Sequence, residues 1–115
     1  MTYREEMQRI KRQTGQLRQA LPEFMEAFYA LSKQSSVDGA LDKKTKELIA
    51  LAIGVSQHCD GCIAFHTQSA LQAGATREEI LDALSVTVFM GGGPALMSAT
   101  HAMEALSELS PSEST

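Results

Sequence analysis

The stretch "SQHCDGCIAFHTQ", Ser56–Gln68, places His58, Cys59, Cys62 and His66 within nine consecutive positions. Cys59 and Cys62 are the two cysteines of the chain, and one further histidine, His101, lies elsewhere. Three positions apart on the first turn of a helix, the two sulfurs are neighbours. A disulfide between them can close only in that kind of local turn, where it would be accessible and reducible. Unpaired amides and the helix dipole at an N-terminus also favour a thiolate there. His66 follows Cys62 by four residues, one turn further on the same face. Its imidazole can therefore serve Cys62 as base or proton shuttle.

A carboxylate partner for His66 is available upstream. Glu47 stands inside the otherwise apolar run "KELIALAIGV". If that segment is a helix turning back near Ser56–Cys59, Glu47 lies about 15 Å from the turn and His66 about 10 Å. An antiparallel helix pair would set the two at similar depth, with Cys62 nearer the turn. Two other uses of these residues stay open. Zinc could draw on His58, Cys59, Cys62 and His66, of which three converge easily, with Glu47 as a fourth ligand. Structural zinc, however, usually takes ligand pairs from two separated segments. Both cysteines could instead be small core hydrophobes beside a hydrogen-bonded buried histidine. A thioredoxin-like site would need a strand before the C-x-x-C, and an apolar helical segment precedes it.

The elements that must position these side chains read as helices throughout. Alanine, leucine, methionine and glutamate dominate, and no segment alternates strictly as a half-buried strand would. Tyr3, Met7, Ile10 and Leu17 follow helical spacing, with Gly15 expected to interrupt that first helix. Pro22 suits the first turn of a second helix that directs Met25, Phe28, Tyr29 and Leu31 towards a core. The loop "SSVDGALD" leads to Asp42, the expected cap of a third helix over Lys43–Val55. After the cysteines a fourth helix runs to about Ala73 and stops at Gly74. "TREE", Thr76–Glu79, reads as a capping box opening a fifth helix, which "GGGP" (Gly91–Pro94) breaks as a tight turn. Pro94 then opens a sixth helix with Leu96, Ala99, Met103 and Leu106 on one stripe. The expectation is an all-α, compact bundle of about six helices, with residues 1–20 an N-terminal helical arm, 21–109 the main domain and 110–115 a frayed tail.

With 115 residues, the chain suits one domain without a large internal substrate chamber. Ten Lys+Arg stand against fourteen Asp+Glu, a net charge of −4. The basic cluster Arg4, Arg9, Lys11, Arg12 and Arg18 is interrupted by Glu5 and Glu6 and reads as a solvated face, so no nucleic-acid partner is expected. The N-terminus lacks the apolar run of a signal peptide and no stretch is expected to span a membrane, which predicts a cytoplasmic protein. Permanent disulfides are uncommon there, so reactive or metal-binding thiols gain weight. Leu48, Ile49, Leu51, Ile53 and Val55 surround the third helix with apolar surface, and the fifth is similar. One small domain covers only one side easily, which predicts a homo-oligomer. Met90, Met97 and Met103 read as core or interface filler, and His101 as a surface or interface residue without an evident partner.

Glu47, eleven intervening residues, and then Cys59-Asp-Gly-Cys62-Ile-Ala-Phe-His66 resemble the E-x11-C-x-x-C-x-x-x-H signature of alkylhydroperoxidase D-like proteins. These form part of the carboxymuconolactone decarboxylase family. The flanks "ALDKKTKELIALAIGV" and "GGGPAL" are similar as well, and the resemblance extends from about Phe24 to Leu106. It implies an alkylhydroperoxidase D-like helical fold that assembles into trimers or hexamers. It also implies a peroxiredoxin-type oxidoreductase, an antioxidant peroxidase acting on organic or hydrogen peroxides. Cys62 would then be the peroxidatic thiolate, Cys59 the resolving thiol of a Cys59–Cys62 disulfide, and Glu47 with His66 the proton relay. A dithiol or lipoyl-type reductant protein would close the cycle, with no haem, flavin or metal cofactor.

One departure stands out. Some alkylhydroperoxidase D proteins carry a histidine immediately before the second cysteine, where this chain has Gly61, which implies a simpler or weaker relay. Two alternatives accompany the peroxidase. A carboxymuconolactone decarboxylase-like lactone decarboxylase would use His66 and Glu47, although that branch generally lacks the cysteine pair. A non-catalytic redox-sensing oligomer would use the disulfide to change its assembly.

Overall fold

The structure, a computed structural model, describes residues 1–111. Its helices are α1 (Tyr3–Ala20), α2 (Pro22–Ser36), α3 (Lys43–Ser56), α4 (Asp60–Gln72) and α5 (Arg77–Leu109). The all-α architecture is as expected, with five helices where about six were anticipated.

Local chemistry explains most of the boundaries. Thr2 and Glu5 form a capping box at α1, and Pro22 opens α2, where its missing N–H costs no hydrogen bond. The Asp42 carboxylate accepts from the Thr45 N–H at the start of α3. Thr76 and Glu79 cap α5 reciprocally, and Gly74, with φ of 95°, makes the left-handed exit from α4.

Of two expected interruptions, one did not occur and one did. Gly15 lies within an unbroken α1, where its cost is only about 1 kcal/mol relative to alanine. The "GGGP" stretch does break the helical backbone, as a kink between two arms that together make up α5. Gly92 takes φ 70° and ψ −150°, a conformation open to glycine, and the helix resumes through Pro94. By length and composition α5 is apolar enough to cross a membrane, contrary to the expectation, and 22% of that apolar window is buried. The Gly92 bend divides it into arms of 15 and 17 residues, each shorter than a spanning helix of about 20 residues.

The core lies where α3, α4 and α5 meet, with α1 laid across α4 and α5. Leu51 and Val55 of α3, Ile63 and Ala64 of α4, and Ile80 and Leu106 of α5 are almost wholly enclosed. Each enclosed leucine or isoleucine contributes roughly 1.5–3 kcal/mol. Beyond the bend, α5 buries Ala95, Ala99, Ala102, Ala105, Leu106 and Leu109 at three- and four-residue intervals. Leu96, expected on that stripe, is exposed, and Met103 is partly buried against the core.

The second helix departs most from expectation. It touches only α1 and α3, and Met25 is its one buried residue. Phe28, Tyr29 and Leu31, assigned to a core by spacing, are exposed. Phe24, Val86, Phe89, Met90 and Met97 are exposed too, with Phe89 at 83%. Helical spacing identifies an apolar face but not what covers it; among the described residues Arg18 of α1 lies over the Tyr29 ring, 5.4 Å from its centroid, and most of the face stays exposed.

Candidate active site

The α3–α4 turn builds the cysteine centre. Gln57 N–H bonds to Ile53 C=O, His58 N–H to Val55 C=O, and Cys59 N–H to Gly54 C=O, closing α3 and reversing the chain. His58 takes φ 56° to make that reversal, a left-handed conformation that is uncommon outside glycine and asparagine. Cys59 is therefore the N-cap of α4, its Sγ accepting from the Cys62 N–H at 3.1 Å. Cys59 and Cys62 are joined as a disulfide with Cα atoms 5.2 Å apart, and both are partly buried. This is the local first-turn geometry that the spacing predicts.

A glycine in α3 permits the arrangement. A Cβ placed on Gly54 would lie 2.9 Å from Cys62 Cβ, so a hydrogen at this position lets α3 approach the dithiol. Gly54 was not singled out in the sequence, where an isolated glycine within "LIALAIGV" was the available signal. Gly61 also has a physical setting. Its own hypothetical Cβ would lie 3.0 Å from Ile10 Cδ1 of α1. Position 61 therefore packs against the N-terminal helix.

Glu47 and His66 meet across α3 and α4. His66 Nδ1 lies 2.9 Å from Glu47 Oε1, and Glu47 is buried with 7% of its surface exposed. An ionised carboxylate only accepts, so Nδ1–H donates and Nε2 keeps the lone pair. The His66 side chain remains 39% accessible. Together with Cys62 it lines a groove of about 230 Å³, completed by Ala50, Ile53, Gly54 and Gln57. Glu47, His66, Cys62 and Cys59 are thus brought to one locus.

The other two histidines have partners that their sequence context did not reveal. His58, weighed only as a zinc ligand, places Nδ1 against the buried Ser98 hydroxyl and so ties the turn to α5. His101, read as partnerless, places Nδ1 2.8 Å from Asp60 Oδ1. That pair borders a second cleft, with Tyr3, Glu6 and Glu104. Burial, followed by the nearby Asp60, Glu104 and Glu108 carboxylates, pushes the Tyr3 phenol up to about 12. Tyr3 accordingly stays neutral there. With His58 turned to Ser98 and His66 to Glu47, the four-ligand zinc cluster is not assembled. Among the described residues no group of three or more His, Cys, Asp or Glu side chains could hold a metal ion.

Comparisons with known proteins bear on the family and the fold. The model of the carboxymuconolactone decarboxylase family matches residues 22–105. An uncharacterized protein of Cupriavidus necator is 46% identical over 94 residues, covering 82% of this chain and 83% of its own. Among solved structures, the apo form of a carboxymuconolactone decarboxylase family protein from Legionella pneumophila superposes with a TM-score of 0.92 at 47% identity. That match covers 95% of this chain and 97% of the other. A Thermotoga maritima member, for which involvement in an antioxidative response has been suggested, gives a TM-score of 0.69 at 35% identity. It covers 74% of this chain and 88% of its own.

Proposed function

The chain belongs to the carboxymuconolactone decarboxylase family, and from that premise we propose that it is a thiol-dependent peroxidase of the alkylhydroperoxidase type. One observation carries the reading: Cys62 shares a groove with an imidazole whose far nitrogen is held by a buried carboxylate. The antioxidative role suggested for the Thermotoga relative points the same way.

In the reduced protein, His66 Nε2 accepts the Cys62 thiol proton, while Glu47 orients the ring and balances its charge. The first-turn amides of α4 favour the resulting thiolate. Cys62 sulfur attacks the terminal oxygen of the hydroperoxide, the O–O bond breaks, and Cys62 becomes a sulfenic acid. The departing alkoxide takes the proton from His66 and leaves as an alcohol. Cys59 then attacks the Cys62 sulfur, releasing water and forming the Cys59–Cys62 disulfide. An external dithiol of the lipoyl type returns both thiols and is itself oxidised to a disulfide. Such a cycle belongs in a reducing compartment, and we assign the protein to the cytoplasm on that ground.

Exposed apolar residues on α2 and α5, among them Phe24, Phe28, Phe89 and Met90, support assembly with further copies of the chain, for which the family resemblance implies a trimer or hexamer. The test of the function is consumption of an organic hydroperoxide by reduced protein with a dithiol donor. Cys62→Ser is expected to abolish it, and unchanged turnover in that variant overturns the mechanism. A lactone decarboxylase reading draws on the family match and on the Glu47–His66 pair alone. The double Cys59→Ser/Cys62→Ser protein would keep that activity and lose the peroxidase. A redox sensor would change assembly under peroxide without turnover.

A further inference from the structure

Both neighbours of Cys59 reach across to α5. His58 Nδ1 is hydrogen-bonded to Ser98 Oγ, and Asp60 Oδ1 lies 2.8 Å from His101 Nδ1. Ser98 and His101 are three residues apart, so they present one face of α5 to the cysteine turn. That arm of α5 is a fixed frame, because Ala99, Ala102, Ala105 and Leu106 are buried in the core. Cys59 thus sits between two ties to a single anchored helix.

The two ties are unequal. Asp60 and His101 are about half exposed, and solvent weakens the bond between them. Ser98 is buried, and its hydroxyl can donate or accept, so it suits either tautomer of His58. The backbone adds a second argument for His58. Its φ of 56° favours glycine or asparagine, and another side chain costs free energy there. A histidine kept in that conformation is offset by what its side chain bonds, which is Ser98. Backbone bonds from Gln57, His58 and Cys59 fasten the same turn to α3. Those bonds set its place on α3, and the His58 side chain sets its place against α5. Cys59 follows both, with Sγ on the Cys62 N–H.

We propose that His58, held by Ser98, is a positioning residue for Cys59: it keeps that thiol within reach of Cys62 and thereby sets how readily the Cys59–Cys62 disulfide forms and is reduced. Preorganising two thiols raises their effective concentration for each other, which favours the disulfide over the dithiol. Loosening the turn lowers that concentration and makes the disulfide easier to reduce. The proposal rests on the peroxidase reading for one step. There the Cys59 thiol attacks the Cys62 sulfenic acid, an S–S bond forms and the S–O bond breaks. Hydroxide leaves with the thiol proton as water. The equilibrium of the disulfide with an external dithiol involves no peroxide and stands apart from that reading.

The full-length protein is equilibrated with mixtures of reduced and oxidised dithiothreitol, and its disulfide fraction is read by thiol alkylation and intact mass. His58→Gly keeps the left-handed backbone and removes the tie. His58→Asn keeps both, since asparagine tolerates that backbone and carries its amide where Nδ1 lies. His58→Gly and Ser98→Ala are each expected to make the disulfide about tenfold easier to reduce, a rise of about 30 mV in its potential. The double variant should match the singles, because one bond is lost in all three, and His58→Asn should stay within about twofold of wild type. An unchanged equilibrium in His58→Gly or Ser98→Ala overturns the proposal, even if the unfolding midpoint falls. So do summed effects in the double variant, or a His58→Asn protein that behaves as His58→Gly. Shifted equilibria in a protein that consumes no hydroperoxide would support the positioning role and reject the peroxidase. With turnover, the Cys62 sulfenic acid, trapped by dimedone after one equivalent of hydroperoxide, should persist about tenfold longer in His58→Gly. An unchanged lifetime would refute the role in resolution.

Discussion

The Glu47 carboxylate accepts a hydrogen bond from His66 Nδ1 at 2.9 Å, and the acid is buried while the imidazole is reachable. In the proposed mechanism that asymmetry gives the two residues different tasks. Glu47 would fix the tautomer and ring orientation from within the protein, and His66 would exchange protons with the species entering the groove. Glutamine at 47 can keep a hydrogen bond but cannot balance an imidazolium. Glu47→Gln is expected to lower peroxide turnover about a hundredfold while the helical content and unfolding midpoint remain close to wild type. Steady-state kinetics and thermal unfolding monitored by circular dichroism check both halves.

Cys59 caps α4 with its sulfur towards the Cys62 N–H, the position of a thiol that resolves an oxidised Cys62. In Cys59→Ser the first chemical step should proceed and the second should stop. One equivalent of hydroperoxide should leave one added oxygen atom on Cys62, detected by intact mass and by a dimedone adduct. A second turnover without an external thiol would contradict the assignment.

Two glycines provide opposite outcomes for one substitution. Gly54→Ala gains about 1 kcal/mol of helix propensity but forces a methyl to within 2.9 Å of Cys62 Cβ, an overpacking cost of about 1–3 kcal/mol. The expected net is a loss of about 1 kcal/mol, together with displacement of the dithiol and slower turnover. Gly15→Ala meets nothing within 4 Å on α1 and should gain up to about 1 kcal/mol. Urea unfolding of both variants measures the contrast.

Acid should release the start of α1. The Glu108 carboxylate accepts from the Arg4 and Tyr3 N–H groups at 2.9 and 3.0 Å. Those two bonds, Arg4 first, hold its carboxyl below the ordinary value of 4.5. A depressed carboxyl contributes fully above pH 4.5 and loses its contribution as the pH falls towards and through its folded value. Hydrogen exchange at Tyr3 and Arg4, corrected for intrinsic rate, should therefore accelerate below that pH. Glu108→Gln should show the faster exchange already at neutral pH.

What was legible in the sequence was short-range. Asp42, Pro22 and the Thr76–Glu79 box place helix starts through bonds within a few residues, and those starts appear in the structure. Cys59, Cys62 and His66 share one helix face by spacing alone, and the antiparallel depth argument brought Glu47 opposite His66. The long-range decisions were not legible. Whether "GGGP" ends a helix or bends it depends on how the second arm of α5 packs, because Gly92 permits either backbone. The spacing of Phe28 and Leu31 marks an apolar face but carries no information about which surface covers it. His58–Ser98 and Asp60–His101 join residues about forty positions apart, and periodicity has no reach over such a separation. The dithiol was thus set by local sequence, through bonds within one helical turn; the meeting of Glu47 with His66 was decided only when α3 packed on α4, because the two side chains come from separate helices.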